Sequence, residues 1–214
     1  MCGTFFLAAM LAASRTVCVY TAPAGDGGIS GALDGVMTRA PDHLARSGFM
    51  LVGHKWNASY KALLEFEIPD AVLAAGPSGV VRATLRVNAL TSPGCYPRKD
   101  GGGPQCDLYL YYAPEANGMI ELTDDNHGVK FPGCVLQSGM TLNHRSGFSA
   151  DVTEYVREAV RRKSDYLGVR LQTEEHSDSA WIFQTSENPY DIKDRTSRPS
   201  LTIEYAEKHE GKGR

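Results

Sequence analysis

The stretch Val80 to Ala89, VVRATLRVNA, limits the fold more than any other. Val81, Ala83, Leu85, Val87 and Ala89 fall at every second position, opposite Arg82, Thr84, Arg86 and Asn88. A period of two is what a strand with one buried and one wet face requires. Parallel sheets covered by helices on both faces give near-continuous apolar runs instead, so the segment predicts antiparallel pairing.

The same pattern recurs along the chain. In KALLEFEIP, Ala62, Leu64, Phe66 and Ile68 point one way and Glu65 and Glu67 the other, until Pro69 ends the ladder. DLYLYYAP sets Leu108, Leu110 and Tyr112 against Tyr109 and Tyr111. YLGVRLQT turns Leu167, Val169 and Leu171 inward, and RPSLTIEYA places Leu201, Ile203 and Tyr205 on one face. Phe49 to Val52 and AWIFQTSE read as further strands, and the Gly- and Asp-punctuated stretch from Gly25 to Gly48 as one or two short ones. Glu115 to Gly147 reads as loops with one strand near Val135, and there is no repeat at a solenoid period. Short strands separated by turn-rich loops predict an all-β fold, an antiparallel β-sandwich of jelly-roll type.

One segment breaks the pattern. SADVTEYVREAV carries Val152, Val156, Ala159 and Val160 at helical spacing, with Arg157, Glu158, Arg161, Arg162 and Lys163 on the other side. It predicts one short covering α-helix near 152–163. Asp151 is the expected N-cap, with Glu154 completing a capping box and Thr153 as the alternative cap. So narrow a stripe buries against one neighbour, which makes the helix a lid over one end of the sandwich.

At 214 residues the chain suits one domain, placed at 25–206. A charged C-terminal tail follows at 207–214. The formal charge of -3, with no basic run longer than Arg161-Arg162-Lys163, excludes the electrostatic footprint of a nucleic-acid binder. Phe5 to Ala13 is an apolar run of signal-peptide length, too short to span a bilayer. Ala22-Pro23-Ala24 offers small residues for cleavage before Gly25, so residues 1–24 read as a signal peptide and the protein as secreted or at the cell surface. That cleavage removes Cys2 and Cys18. Cys95 and Cys106 flank the loop GCYPRKDGGGPQC, which an oxidising compartment favours closing as a disulfide, leaving Cys134 odd. Free thiols are the alternative. No CxxC or HxxxH spacing suggests zinc.

The order of several stretches resembles the DNRLRE-domain family, which overlaps the carbohydrate-binding modules of family 96. LVGHKWNASYKALLEFEIP is similar to the family's opening strand, aromatic and basic stretch and "LL-x-F" strand. VVRATLRV is similar to its "A-x-L-x-V" strand, SADVTEYVREAV to its Asp-Val-Thr helix, and FQTSEN followed by RPSLTIEY to its closing pair. The resemblance covers roughly Asp34 to Tyr205, with the Cys95 to Cys106 loop as an insertion. It implies a secreted or cell-surface jelly roll that binds polysaccharide.

Sugar recognition needs planar aromatic faces for pyranose rings and forked or amide groups for hydroxyls and carboxylates. Arg82, Arg86, Tyr109, Tyr111, Arg170 and Gln172 lie where alternation turns them away from the core. If their strands are neighbours they form a surface suited to an anionic polysaccharide. Each residue taken alone equally fits an ordinary solvated sheet face. Trp56, in the polar loop HKWNASY, is the better stacking candidate, whereas Trp181 begins a strand and suits the core. Asn57-Ala58-Ser59 is also a glycosylation sequon.

No cofactor is expected. The loop acids Asp26, Asp34, Asp124 and Asp125 leave structural calcium open, although TDDNHG does not fit the EF-hand register. A single-domain polysaccharide lyase is the rival reading, with His127, His144 and His176 and Tyr111 or Tyr155 as acid and base. Against it, the chain lacks the Arg-x-Glu-x-Arg and Gln-Ile-His strands of alginate lyases, and any Gly-x-Ser-x-Gly elbow. A structural or adhesion module without a small ligand shares the fold.

Overall fold

The computed structural model describes residues 14–22, 24–32, 37–39, 48–89, 95–99, 104–135, 147–174, 176–186 and 198–207. The apolar run Phe5 to Ala13, Cys2, Pro23, Asp34, His144 and the tail from 208 onward lie outside the described residues, as does the Cys134 side chain.

In chain order the strands are β1 (Ser14–Tyr20), β2 (Asp26–Ala32), β3 (Met37–Arg39), β4 (Phe49–Lys55), β5 (Ala58–Glu67), β6 (Val80–Asn88), β7 (Cys95–Tyr96), β8 (Asp107–Tyr112), β9 (Val129–Val135), β10 (Gly147–Asp151), β11 (Tyr166–Gln172), β12 (Ser179–Gln184) and β13 (Ser200–Ala206). Two short helices join them, α1 (Asp70–Ala75) and α2 (Thr153–Arg162). The smaller sheet is ordered β1-β13-β6-β10. The larger runs β7-β12-β4-β5-β11-β8-β9, with β2 paired to β5 and β3. The named strand pairs are antiparallel, and the chain passes repeatedly from one sheet to the other, as in a jelly roll. Leu85, Val87, Leu201 and Ile203 of the smaller sheet meet Leu64, Phe66, Leu110, Val169 and Phe183 of the larger one in a single core.

Alternation decides most of these faces, and its failures have local causes. Ala83, Leu85, Val87 and Ala89 are buried as expected, but Val81 is 48% exposed and Val80 takes the inward place. Along β13 the register moves from Glu204 opposite Arg82 to Tyr205 opposite Val80. One step of β13 thus spans two of β6, and the extra residue, Val81, is turned outward by the bulge.

The covering helix is confirmed, with Val156, Ala159 and Val160 buried and contacts to β6 and to Pro77–Gly79. Its start differs from the expected capping box. Asp151 ends β10 and accepts from the backbone N–H and the hydroxyl of Thr153 at 3.0 and 2.5 Å. These bonds, the hydroxyl first, hold the Asp151 carboxyl below its ordinary pKa. Thr153 Oγ1 in turn accepts from the Ala83 N–H at 2.9 Å, tying the cap to β6. Glu154 instead pairs with Arg157 at 2.5 Å, and the Arg157 guanidinium also donates twice to the Val80 carbonyl, at 3.0 and 2.8 Å. The sequence suggested one helix; α1 is a second, only six residues long and too short to show a helical period.

β1 comes from the segment read as a leader. It pairs along its length with β13, and Val17 and Val19 pack against the core. Cleavage after Ala24 would remove this strand and bare the β13 edge.

The expected Cys95–Cys106 disulfide is not formed. Both thiols are buried within the core, outside any disulfide, and burial raises the Cys95 pKa. Each belongs to a separate strand region, Cys95 paired opposite Trp181 in β7 and Cys106 leading into β8. Pro104, just before Cys106, accepts at its carbonyl from the Trp181 indole N–H at 2.7 Å.

Candidate functional site

The β4–β5 hairpin closes between Lys55 and Ala58, leaving two turn residues, Trp56 and Asn57, with φ of 51° and 59°. Two successive positive φ angles are the type I′ geometry that matches strand twist; Asn suits it, but a tryptophan there is uncommon. The turn pushes Trp56 into solvent, 60% exposed. Its ring is braced edge-on by Tyr96 at 5.0 Å and Tyr60 at 6.5 Å, and the Lys55 ammonium lies 5.6 Å from the centre of the Tyr96 ring.

Just before this tip the backbone is forced by Gly53. Its φ is +138°, and a Cβ there would come within 2.8 Å of the Ala180 Cα and closer still to the Ser179 carbonyl oxygen. The next residue, His54, faces Ser59 across the hairpin, with Nδ1 2.9 Å from Ser59 Oγ. His54 is only 6% exposed, and its Nε2 is buried without a hydrogen-bond partner. The exposed ring of His176 stands 4.8 Å away, centre to centre. Burial, then the neighbouring His176, lowers the His54 pKa and favours its neutral form. Cavities of about 230 and 250 Å³ flank the pair, each lined by both imidazoles. Tyr60, Lys61 and Gln172 line one; Lys55, Asn57 and Asp178 line the other. The lysines are paired, Lys55 with Asp178 at 2.8 Å and Lys61 with Asp125 at 2.7 Å.

The expected surface is only partly assembled. Tyr109 and Arg170 are register partners on β8 and β11, with the guanidinium 4.5 Å over the ring. Arg170 is buried and donates to the Asp125 carbonyl, while the Tyr109 hydroxyl reaches Glu174 at 3.5 Å. Gln172 and Glu174 carry this row into the histidine cleft. Arg82 and Arg86 lie on β6, in the other sheet, and do not join it. Arg82 lines a larger cavity of about 610 Å³ beside the start of α2, where Asp151, Thr153 and Arg157 are already bonded to protein groups. Arg86 donates to Asn88 at 3.2 Å.

Tyr111 is buried, because the segment after β8 folds over the outer face of the larger sheet. Tyr111, Ile29, Leu63, Ala116 and Ile120 make a second small core there. Within it lies Glu65, 2% exposed although alternation turns it away from the main core. Its carboxylate accepts from the Tyr111 hydroxyl at 3.1 Å, from the Asn117 N–H at 2.9 Å and from the Gly118 N–H. Burial outweighs these bonds and raises its pKa to about 7. Between about 4.5 and 7 the folded chain therefore keeps a proton that the unfolded chain has released, so stability falls as pH rises through that window. Glu65→Gln is expected to remove about 2 to 3 kcal/mol of this fall, read by urea unfolding at pH 5 and pH 7.5. Equal slopes in mutant and wild type would contradict the assignment.

Among the described residues no group of three His, Cys, Asp or Glu is placed to hold a metal ion. Asp26 is occupied by Thr21, at 2.5 Å, and by the Ser186 N–H and hydroxyl, at 2.7 and 3.1 Å. Asp124 accepts from the Glu121 N–H at 2.7 Å, and Asp125 holds Lys61. The described residues drawn into the lyase reading are dispersed. His127 lies 3.6 Å from Glu115, Tyr155 packs on Phe131, the Tyr111 hydroxyl is bonded to Glu65, and His176 sits beside His54. His54 and Ser59 were missed as site residues; the signal was present in LVGHKWNAS, where a glycine precedes His54 and two turn residues follow Lys55. Compared with known protein families and with curated proteins, the chain matches none, so the resemblance to the DNRLRE-domain family stands on its motifs.

Proposed function

We propose that the protein is a non-catalytic, extracellular carbohydrate-binding module, and that its glycan lies across the β4–β5 hairpin tip and the adjoining cleft. The observation that carries this reading is Trp56: a large planar side chain, 60% exposed, fixed by a tight turn and braced by Tyr60 and Tyr96. A pre-set aromatic face stacks on a pyranose ring with little loss of side-chain freedom. Gln172 and Asn57 supply amide groups beside it, and an anionic polysaccharide would exchange with Asp178 and Asp125 for the ammonium groups of Lys55 and Lys61. This site keeps Trp56 and Gln172 of the sequence-based set, borders Tyr109 and Arg170, and leaves out Arg82, Arg86 and Tyr111.

A calorimetric panel of neutral and anionic polysaccharides tests the reading. At least one acidic polymer is expected to bind, and Trp56→Ala to weaken it by about 1 to 3 kcal/mol, roughly five- to 150-fold, with the melting curve unchanged. Failure of every glycan to bind would leave a structural or adhesion module. New ultraviolet absorbance from unsaturated sugars would make the protein a lyase.

A further inference from the structure

We infer that His54 and His176 form a binding site for a single divalent transition-metal ion of the zinc or copper class, with the remaining coordination positions open. A ring nitrogen buried without a partner has lost its water and gained nothing in return, which native structures seldom tolerate. His54 Nε2 is such an atom, in a residue 6% exposed. Its other nitrogen is already committed, 2.9 Å from Ser59 Oγ. In the tautomer that donates from Nδ1 to this hydroxyl, Nε2 carries a free lone pair. That division of labour, one nitrogen held by an oxygen and the other presented, is how a metal-binding imidazole is oriented.

His176 completes the pair. Two imidazoles sharing one ion at a tetrahedral angle, each bound at about 2 Å, hold their ring centres roughly 5 Å apart. Here they are 4.8 Å apart with the planes inclined by 37°. His54 is held across the hairpin by Ser59, whereas His176 is exposed. Two protein ligands, not three or four, distinguish this from a structural zinc site; water or a carboxylate from outside fills the open positions. The cavities on either side of the pair provide room for them.

The inference stands whether or not the hairpin binds glycan, and its test contains none. The full chain carrying Cys18→Ser, so that the one exposed described thiol does not compete, is titrated with Zn²⁺ while the imidazole nitrogens are followed by nitrogen-15 NMR. One equivalent is expected to shift the ring nitrogens of His54 and His176 together. His176→Ala, at an exposed position, is expected to weaken binding roughly tenfold or more without altering the fold. His54→Gln is expected to do the same. Rings that stay unmoved at saturating Zn²⁺, including the case in which zinc binds only at other histidines, overturn the inference. So does undiminished affinity in His176→Ala.

Discussion

Val156→Asp is expected to abolish cooperative folding at 25 °C. Val156 is fully buried on the inner face of α2, where the helix meets β6. The substitution forfeits about 1.5 to 3 kcal/mol of apolar burial and adds several more for a carboxylate held away from water. Together these are comparable to the whole stability of about 5 to 15 kcal/mol of an ordinary domain. The neighbouring Arg157 does not offset the charge, being committed to the Val80 carbonyl and to Glu154. Urea titration followed by circular dichroism is expected to show no native baseline for the mutant. The milder Val156→Ala is expected to keep a cooperative transition and lose about 2 kcal/mol. A folded Val156→Asp protein that has lost only its ligand would reverse the roles assigned here, making α2 the binding element rather than the lid.

Gly168→Ala is the second large effect, and it acts on the second small core at the outer face of the larger sheet. Gly168 lies in β11 directly opposite Tyr111 in β8, and a Cβ added there would overlap the carbons of the Tyr111 ring. The ring cannot step aside, because it is packed with Leu63, Ile29 and Ala116, and its hydroxyl is bonded to Glu65. One methyl group therefore dislodges Tyr111, loosens the second core and strips Glu65 of a donor. About 3 kcal/mol is expected, at the upper end for overpacking a tight interior. Gly28→Ala in β2 is the matched control, since its Cβ would meet Met50 and Leu51 atoms at 3.5 to 3.6 Å, ordinary contact distances. It is expected to be nearly neutral. Equal losses in the two mutants would show that the cost lies in the backbone and not in the Tyr111 ring.

These two sites also mark what can and cannot be read from the sequence. Val156 was legible, because a helical stripe and a sheet's alternation both depend only on spacing along the chain. The same holds for Ala83, Leu85 and Val87 in β6 and for Leu201, Ile203 and Tyr205 in β13. Tyr111 and Glu65 were not legible: the alternation places them on the outer face, but nothing local says that residues 113–122 will return to cover that face. Val81 failed for a related reason, since a bulge is a property of two paired strands.

The candidate site shows the same divide. Trp56 was singled out because it sits in a polar turn, and the turn exposes it. The arginines were grouped on the premise that their strands are neighbours; β8 and β11 are, but β6 belongs to the other sheet. His54 was overlooked because its role comes from Ser59 across the hairpin and from His176, more than a hundred residues away in sequence. Cys95 and Cys106 looked like a bridge because the loop between them is glycine-rich. Yet a short, flexible connection does not oblige two strand regions to present their sulfurs to each other, and here both thiols are spent on the core.

Tryptophan emission tests the central claim most directly. The chain has two tryptophans; Trp181 is 2% exposed and bonded through its indole N–H, so Trp56 alone is open to a water-borne quencher. Titration with an acidic polysaccharide that binds is expected to shift the emission to shorter wavelength and protect it from iodide, saturably, with the response lost in Trp56→Phe. A ligand that binds while Trp56 stays fully quenchable would contradict the placement of the glycan at the hairpin tip.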